Sequence, residues 1–202
     1  MPIQITDEMR EAAGREAKRR NPKIKHHFEL EYMSGEQRDI VGFLGEFACK
    51  ECLGLDWRAG IRENYDTIDR GDILQTDIVV DIKTETIPNE ILMKLIRGQV
   101  GDDQPYGRRL INQEQIPLLE HYDYVAWGAF SRGMNNGLWF SLGYLETAFI
   151  LEHYRPTIRT PFGTRYNEPC MNIRQSQLKS MYGLSRILSA RRGPETPASG
   201  GG

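Results

Sequence analysis

Cysteine is scarce in this chain: Cys49, Cys52 and Cys170 are the three among 202 residues. An odd, small number argues against a disulfide framework. Cys49 and Cys52 have CxxC spacing, which admits metal or redox chemistry. A structural zinc usually needs about four ligands, and no second close Cys or His pair accompanies them. The competing reading is two small core residues on one helix. Histidine is also rare. His26, His27, His121 and His153 show no HExxH or similar spacing, so they read as surface or packing residues. Ser131, Ser141 and Ser176 lack the Gly-x-Ser-x-Gly elbow of a serine hydrolase. The glycine signatures of a P-loop and of a dinucleotide-binding turn are missing, which leaves a nucleotide-hydrolysing motor or a dehydrogenase unsupported. No apolar run approaches the ~20 residues that span a bilayer. The stretch Met1 to Thr6 lacks the apolar segment of a secretory signal. The expectation is a soluble, cytoplasmic (intracellular) protein.

A basic excess is missing as well, since the net charge is −2. That speaks mildly against a broad nucleic-acid-binding surface and leaves room for a local basic patch. Clusters occur at Lys18-Arg19-Arg20 with Lys23 and Lys25, at Arg108-Arg109 and at Arg191-Arg192. Each alone reads more readily as a solvated face than as a phosphate track.

What is present is an ordinary core-forming chain, 39% apolar. A first helix is expected from Thr6 to about Arg20, ended by Asn21-Pro22, followed by an extended stretch from Lys23 to Tyr32. Ser34-Gly35-Glu36-Gln37 is a capping-box pattern. It opens a helix to about Leu53, with Gly54 as its stop and Ile40, Val41, Leu44, Phe47 and Ala48 as its core stripe. Strands are expected near Arg62 to Ile68, at Asp72 to Leu74, and at Ile78 to Thr86 after a Gln75-Thr76-Asp77 turn. The last is rich in β-branched residues and reads as central. Pro88 starts a helix over Asn89 to Arg97 with Ile91, Leu92, Leu95 and Ile96 inward. Gly98 to Ile116 reads as a long loop. Tyr122 to Phe130 and Leu138 to Leu142 read as strands joined through Asn136-Gly137. Helices over Tyr144 to Tyr154 and Arg174 to Ala190 follow, then a Gly- and Pro-rich tail expected to be disordered. This order implies an α/β sandwich. It divides into an N-terminal helical extension (residues 1–33), an α/β domain (34–190) and the tail (191–202). Trp57, Trp127 and Trp139 read as core.

One stretch carries chemistry: Arg70-Gly71-Asp72-Ile73-Leu74, then Ile78-Val79-Val80-Asp81-Ile82-Lys83-Thr84. Residues i and i+2 of a strand share a face, so Asp81 and Lys83 project together while Ile82 points into the core. The plain reading is an ion pair at a sheet margin. The functional reading is that Asp81 binds Mg²⁺ (or Mn²⁺), which takes oxygen ligands and often only one or two carboxylates, and that Lys83 orients or activates an attacking water. A tight turn at residues 75–77 sets Asp72 and Asp81 at the same end of a hairpin, where opposed side chains lie roughly 5 Å apart. Asp72 is also compatible with a turn residue, and Asp66, Asp69 and Asp77 compete for its role. Glu46, in Gly42-Phe43-Leu44-Gly45-Glu46, sits between two helix-weakening glycines that permit close approach of a sheet. A simple Glu46–Lys50 pair is the alternative.

In order, Gly45-Glu46 on an early helix, Gly71-Asp72, and Asp81-Ile82-Lys83 on an apolar strand resemble the PD-(D/E)xK nuclease superfamily. The resemblance implies a restriction-endonuclease-like α/β fold, a mixed sheet flanked by helices in the order α-β-β-β-α-β. It implies a Mg²⁺-dependent endonuclease that hydrolyses phosphodiester bonds, more readily in DNA. It further implies metal ligation by Asp72, Asp81, Glu46 and the Ile82 carbonyl, and a catalytic Lys83. Gly71 stands where the family name has proline, and Asp81 where glutamate is commoner. Glu85 shares the face of Asp81 and Lys83 and is a candidate for contact with metal-bound water. Arg97, Gln99, Arg108 and Arg109 are candidates for holding substrate phosphates, with helix-end and surface roles as the plainer readings. The partner is then nucleic acid, with room for a homodimer and no membrane. Two rival readings stand beside this one: a catalytically inactive nucleic-acid-binding or assembly module of the same fold, and an RNA-cleaving enzyme.

Overall fold

The computed structural model describes residues 2–20, 34–59, 61, 71–75, 77–133 and 137–191. The expected strand near residues 62–68, the extended stretch at 23–32 and most of the C-terminal tail lie outside them.

The chain is mixed α/β, built on two sheets. Strand β1 (Ile3–Gln4) leads into helix α1 (Asp7–Arg20), and helix α2 (Gly35–Cys52) follows. A short hairpin comes next, β2 (Ile73–Gln75) and β3 (Ile78–Ile87), then α3 (Asn89–Ile96), β4 (Arg108–Asn112) and a 3₁₀ segment at Gln113–His121. Strands β5 (Tyr124–Ser131) and β6 (Leu138–Glu146), helix α4 (Thr147–His153), strands β7 (Thr157–Arg159) and β8 (Arg165–Arg174), and helix α5 (Met181–Arg191) complete the order. The main sheet runs β1-β6-β5-β3-β2. Its one parallel pair is β3 with β5, joined through α3 and β4, while β2–β3, β5–β6 and β1–β6 are antiparallel. The second sheet, β4-β8-β7, is antiparallel.

Side-chain alternation decides which layer covers which face. On β3, Val80 and Ile82 enter one hydrophobic core with α1, α2 and α5. The residues that β3 aligns with Val125 and Trp127 of β5 face the opposite side, where Ile111, Leu119, Met171 and Ile173 form a second core under the small sheet. The main sheet is therefore sandwiched between a helical layer and a second layer made of the small sheet with α3 and α4.

Local signals explain α2. Gln37 N donates to Ser34 Oγ at 3.2 Å and Ser34 N donates to Gln37 Oε1 at 2.8 Å, so both arms of the capping box form. Val41, Leu44, Phe47, Ala48 and Cys49 are buried along its inner side. Helix α1, expected as part of an extension, packs Met9, Ala12, Ala13 and Ala17 into the same core. No helix among the described residues is long and apolar enough to cross a membrane.

Several expected boundaries shift. The stretch read as a loop from Gly98 to Ile116 contains β4, whose paired backbone gives Arg108 to Asn112 partners on β8. Strand β6 continues to Glu146, past the expected start of a helix at Tyr144, because β5 pairs with it along its whole length. The expected start of the last helix at Arg174 is the end of β8, and α5 begins at Met181. Ile96, expected inward on α3, is exposed.

The two glycines flanking Glu46 differ. A Cβ on Gly45 would lie 1.8 Å from Thr84 Oγ1 of β3, whereas one on Gly42 would meet nothing within 4 Å. Helix α2 thus touches the sheet at Gly45 and stands clear of it at Gly42. Gly42→Ala should stabilise the protein by up to about 1 kcal/mol through helix propensity. Gly45→Ala should destabilise it by about 1–3 kcal/mol through overpacking. Urea unfolding midpoints of the two variants, compared with the parent, check the opposite signs.

Candidate active site on the second and third strands

The β2–β3 hairpin is in the register Ile73↔Val80, Leu74↔Val79, Gln75↔Ile78. Just before the ladder, Asp72 N donates to the carbonyl of Val80, the residue that Ile73 pairs with, at 2.9 Å, so Asp72 flanks β3 at the end of the hairpin. Here the chain bends out of the ladder at Gly71, which has φ +91°. That conformation suits glycine, and a proline, locked at negative φ, could not adopt it. A Cβ at Gly71 would also lie 2.4 Å from Val79 Cγ1. The Asp72 side chain acts as acceptor for the strand, and Ile82 N donates to Asp72 Oδ2 at 2.7 Å. A strand N–H lies in the plane of its sheet, so the Asp72 carboxylate lies at the sheet edge. The Ile82 carbonyl points to the same edge, because N–H and C=O of one strand residue share a side.

Asp81 and Lys83 project together from β3, as their spacing requires. Lys83 Nζ is 2.9 Å from Asp81 Oδ2, with the side chains 15% and 10% exposed. Asp81 Oδ2 is buried, and its charge is met there by the Lys83 ammonium. Glu46 rides half-buried on α2, the layer that covers the Val80–Ile82 face, opposite to the face of Asp81 and Lys83. Its link to the hairpin is electrostatic. The Cys49 thiol is pushed well up, first by burial, then by the charges of Cys52 and Asp72, and more weakly by Glu46 against the opposing Lys50. One buried sulfur therefore feels both Asp72 and Glu46.

The structure thus brings Asp72, Asp81, Lys83 and the Ile82 carbonyl to one strand pair and leaves Glu46 on the other face. Among the described residues no three His, Cys, Asp or Glu side chains gather as a ready metal cage. The donor set nonetheless fits a hard cation of the magnesium type. It offers the Asp81 carboxylate, an edge carboxylate at Asp72 and a neighbouring carbonyl, and such an ion keeps several waters beside one or two carboxylates.

The other expected residues separate into distinct roles. Arg109 is fully buried. Its Nη1 donates to Glu85 Oε2 at 2.7 Å, its Nη2 donates to the Tyr106 carbonyl, and its Nε is buried without a partner. Arg109 is therefore not a phosphate ligand, because its guanidinium is committed inside the protein. Glu85 is likewise turned to Arg109 rather than to a metal-bound water. Burial pushes its carboxyl up and the Arg109 charge partly opposes this. Arg108 is bound to Asp103 at 2.9 Å and to the Asp102 carbonyl, yet its side chain lines a cleft. Arg97 caps α3 and Gln99 follows it; both are exposed. Arg19 is paired with Glu16 at 2.9 Å, and Arg20 lies over the Phe43 ring, so that basic cluster is partly spent within the fold. Cys49 and Cys170 are buried, and Trp57, Trp127 and Trp139 are core residues.

A cleft of about 790 Å³ opens where β3 continues past Lys83. Its walls come from Arg38 on α2, Thr84 to Thr86 on β3, the Tyr106 loop, β4 and the β7–β8 hairpin. None of β4, β7 and β8 was expected, so this wall was missed. A signal existed for the hairpin: Pro161-Phe162-Gly163 is turn chemistry between β-prone Thr157-Ile158 and Tyr166.

No family model matches the chain, and no curated protein and no solved structure matches it.

The pair between β3 and β4 is open to a direct check. Glu85→Ala leaves the buried Arg109 guanidinium without its carboxylate and should destabilise the fold by about 3–5 kcal/mol. Thermal and urea unfolding of that variant test it; a loss below about 1 kcal/mol would show that the pair does not hold the two strands together.

Proposed function

We propose that this protein is a divalent-metal-dependent phosphodiesterase acting on nucleic acid, a nuclease with the restriction-endonuclease-like arrangement that its motif resembles. The observation that carries the reading is the β2–β3 hairpin. It sets the Asp72 carboxylate on Ile82 N at 2.7 Å, one residue along from Asp81, and pairs the buried Asp81 carboxylate with Lys83 Nζ at 2.9 Å. The order α2, β2, β3, α3, β5, with β3 and β5 parallel and β2 antiparallel to β3, is compatible with the expected core.

In this reading Asp72, Asp81 and the Ile82 carbonyl hold Mg²⁺ or Mn²⁺, while Glu46 acts from a distance through its charge. The bound ion supplies Lewis-acid polarisation of the phosphate and lowers the pKa of a coordinated water. Lys83 contributes its own chemistry. Its ammonium is held by Asp81 and donates a hydrogen bond to the attacking water or to a non-bridging phosphate oxygen, where negative charge grows in the transition state. DNA is the preferred substrate and a cytoplasmic setting accompanies it.

A second reading is supported by a specific observation. The three carboxylates do not gather, and Asp81 is already engaged by Lys83. Both would also be found in a module that binds nucleic acid, or assembles with it, without cutting. The distinction is experimental. With Mg²⁺ or Mn²⁺ the parent protein should nick or cut plasmid DNA, and chelation with EDTA should stop it. Lys83→Ala and Asp81→Asn should each lower the rate by about 10²–10³-fold, the loss typical of one transition-state interaction, measured at a temperature where cooperative unfolding curves show both variants still folded. Parent protein that never cuts DNA or structured RNA under any divalent condition would leave the binding module as the function.

A further inference from the structure

We propose that the cleft beyond Lys83 is a subsite for an unpaired nucleobase, so that the substrate strand is single-stranded or locally opened where it meets the protein. The proposal rests on the phosphodiesterase reading for its substrate class and on separate observations for its site.

The cleft is lined by three aromatic residues, Tyr106, Phe162 and Tyr166; the two tyrosines are held by hydrogen bonds, and Phe162 rides on a clasped turn. Tyr106 is held at φ +65°, a left-handed conformation costly for a bulky residue. Its carbonyl accepts from the buried Arg109, and its hydroxyl accepts from Arg132 Nη2 at 2.9 Å. Phe162 stands 46% exposed at the tip of the β7–β8 hairpin. The tip is clasped beneath it: Thr164 N donates to Thr160 Oγ1 at 2.9 Å, and the two threonine hydroxyls meet at 2.8 Å. The Tyr166 hydroxyl donates to the buried Asn172. Rings held before a ligand arrives bind at lower entropic cost. Base stacking on aromatics is tolerant of sequence, but it needs a base whose face is free, which a paired duplex does not offer.

The charges of the lining suit a base together with its phosphate. Arg108 is matched by Asp103, and Glu85 by Arg109. Glu168 brings a carboxylate to the wall, and its Oε1 is buried without a hydrogen-bond partner among the described residues. The N–H donors on a base edge offset that deficit, and Arg38, whose Nε is likewise buried without a hydrogen-bond partner among the described residues, brings a cation for the adjoining phosphate. The volume, about 790 Å³, is that of a small-ligand pocket rather than a groove for a double helix. Glu85 lines the cleft and lies two residues beyond Lys83, about 7 Å along the strand. A base seated here therefore leaves its strand within reach of the Asp81–Lys83 pair.

The test is fluorescence anisotropy in EDTA, with cleavage of the same oligonucleotides in Mg²⁺ measured separately. A single-stranded deoxyoligonucleotide should bind at least about tenfold more tightly than the same sequence in a blunt duplex. Phe162→Ala in the protein, or abasic positions in the oligonucleotide, should each weaken binding by about tenfold, as expected for loss of one stacked base. Oligo-dG offers adjacent N1–H and N2–H donors and oligo-dT a single N3–H, so dG should bind more tightly, and Glu168→Gln should narrow the difference. Equal binding of duplex and single strand, indifference to abasic positions and to Phe162→Ala, or free nucleosides that bind as tightly as the oligonucleotide would each overturn the assignment. Binding with this pattern but no cleavage would support the cleft and sink the phosphodiesterase reading; cleavage indifferent to the aromatic wall would do the reverse.

Discussion

The buried Arg109 guanidinium is the constraint on which the arrangement of this protein depends. It reaches from the small sheet to Glu85 on β3 of the large one and, with its other arm, grips the Tyr106 carbonyl. Taking a guanidinium out of water costs several kcal/mol, and the pairing does little more than offset it. What the pair contributes is position. Apolar contacts between two sheets tolerate sliding, whereas a charge with one carboxylate in reach does not. The second layer is thereby set against β3 two residues beyond Lys83, and the cleft exists because of that placement.

Strand β3 divides its labour by alternation. Val80 and Ile82 serve the helical side, and Asp81, Lys83 and Glu85 serve the other. Along that second row a carboxylate, an ammonium and a second carboxylate follow one another; the first two pair with each other and the third with Arg109. At the strand's edge, next to a glycine with positive φ, Asp72 accepts from the Ile82 N–H with its side chain. A chemical site and a structural repair therefore use the same residue: the carboxylate that completes the ladder is also the one that faces the Ile82 carbonyl edge.

Much of this was legible in the chain. The capping box opened α2 where the pattern Ser34 to Gln37 placed it, because cap hydrogen bonds are local. The i, i+2 rule put Asp81 and Lys83 side by side, and the short turn set the β2–β3 register, because both depend on neighbours in sequence. Glu46 was harder. Gly45 did mark a close helix–sheet approach, but proximity of backbones does not say on which face a side chain emerges. Arg109 looked like a phosphate ligand because arginine forks suit phosphate; that it lies buried depends on β8, sixty residues downstream, pairing with β4. The stretch from Gly98 to Ile116 looked like a loop for the same reason, since polar, turn-rich residues form a strand there only when a partner strand supplies the hydrogen bonds.

The sequence by itself determined the α/β class, the boundaries of α2 and α3, and the pairing of acid and amine on one strand, all set by local geometry with periods of two or 3.6 residues. The tertiary structure alone decided that Glu46 lies across the sheet from Asp81, that Arg109 and Glu85 spend their charges on each other, and that Tyr106, Phe162 and Tyr166 meet around one cleft. Those outcomes rest on strand pairings and layer packing between segments distant in the chain, and no local preference encodes which of several distant partners a buried charge or an exposed ring will find.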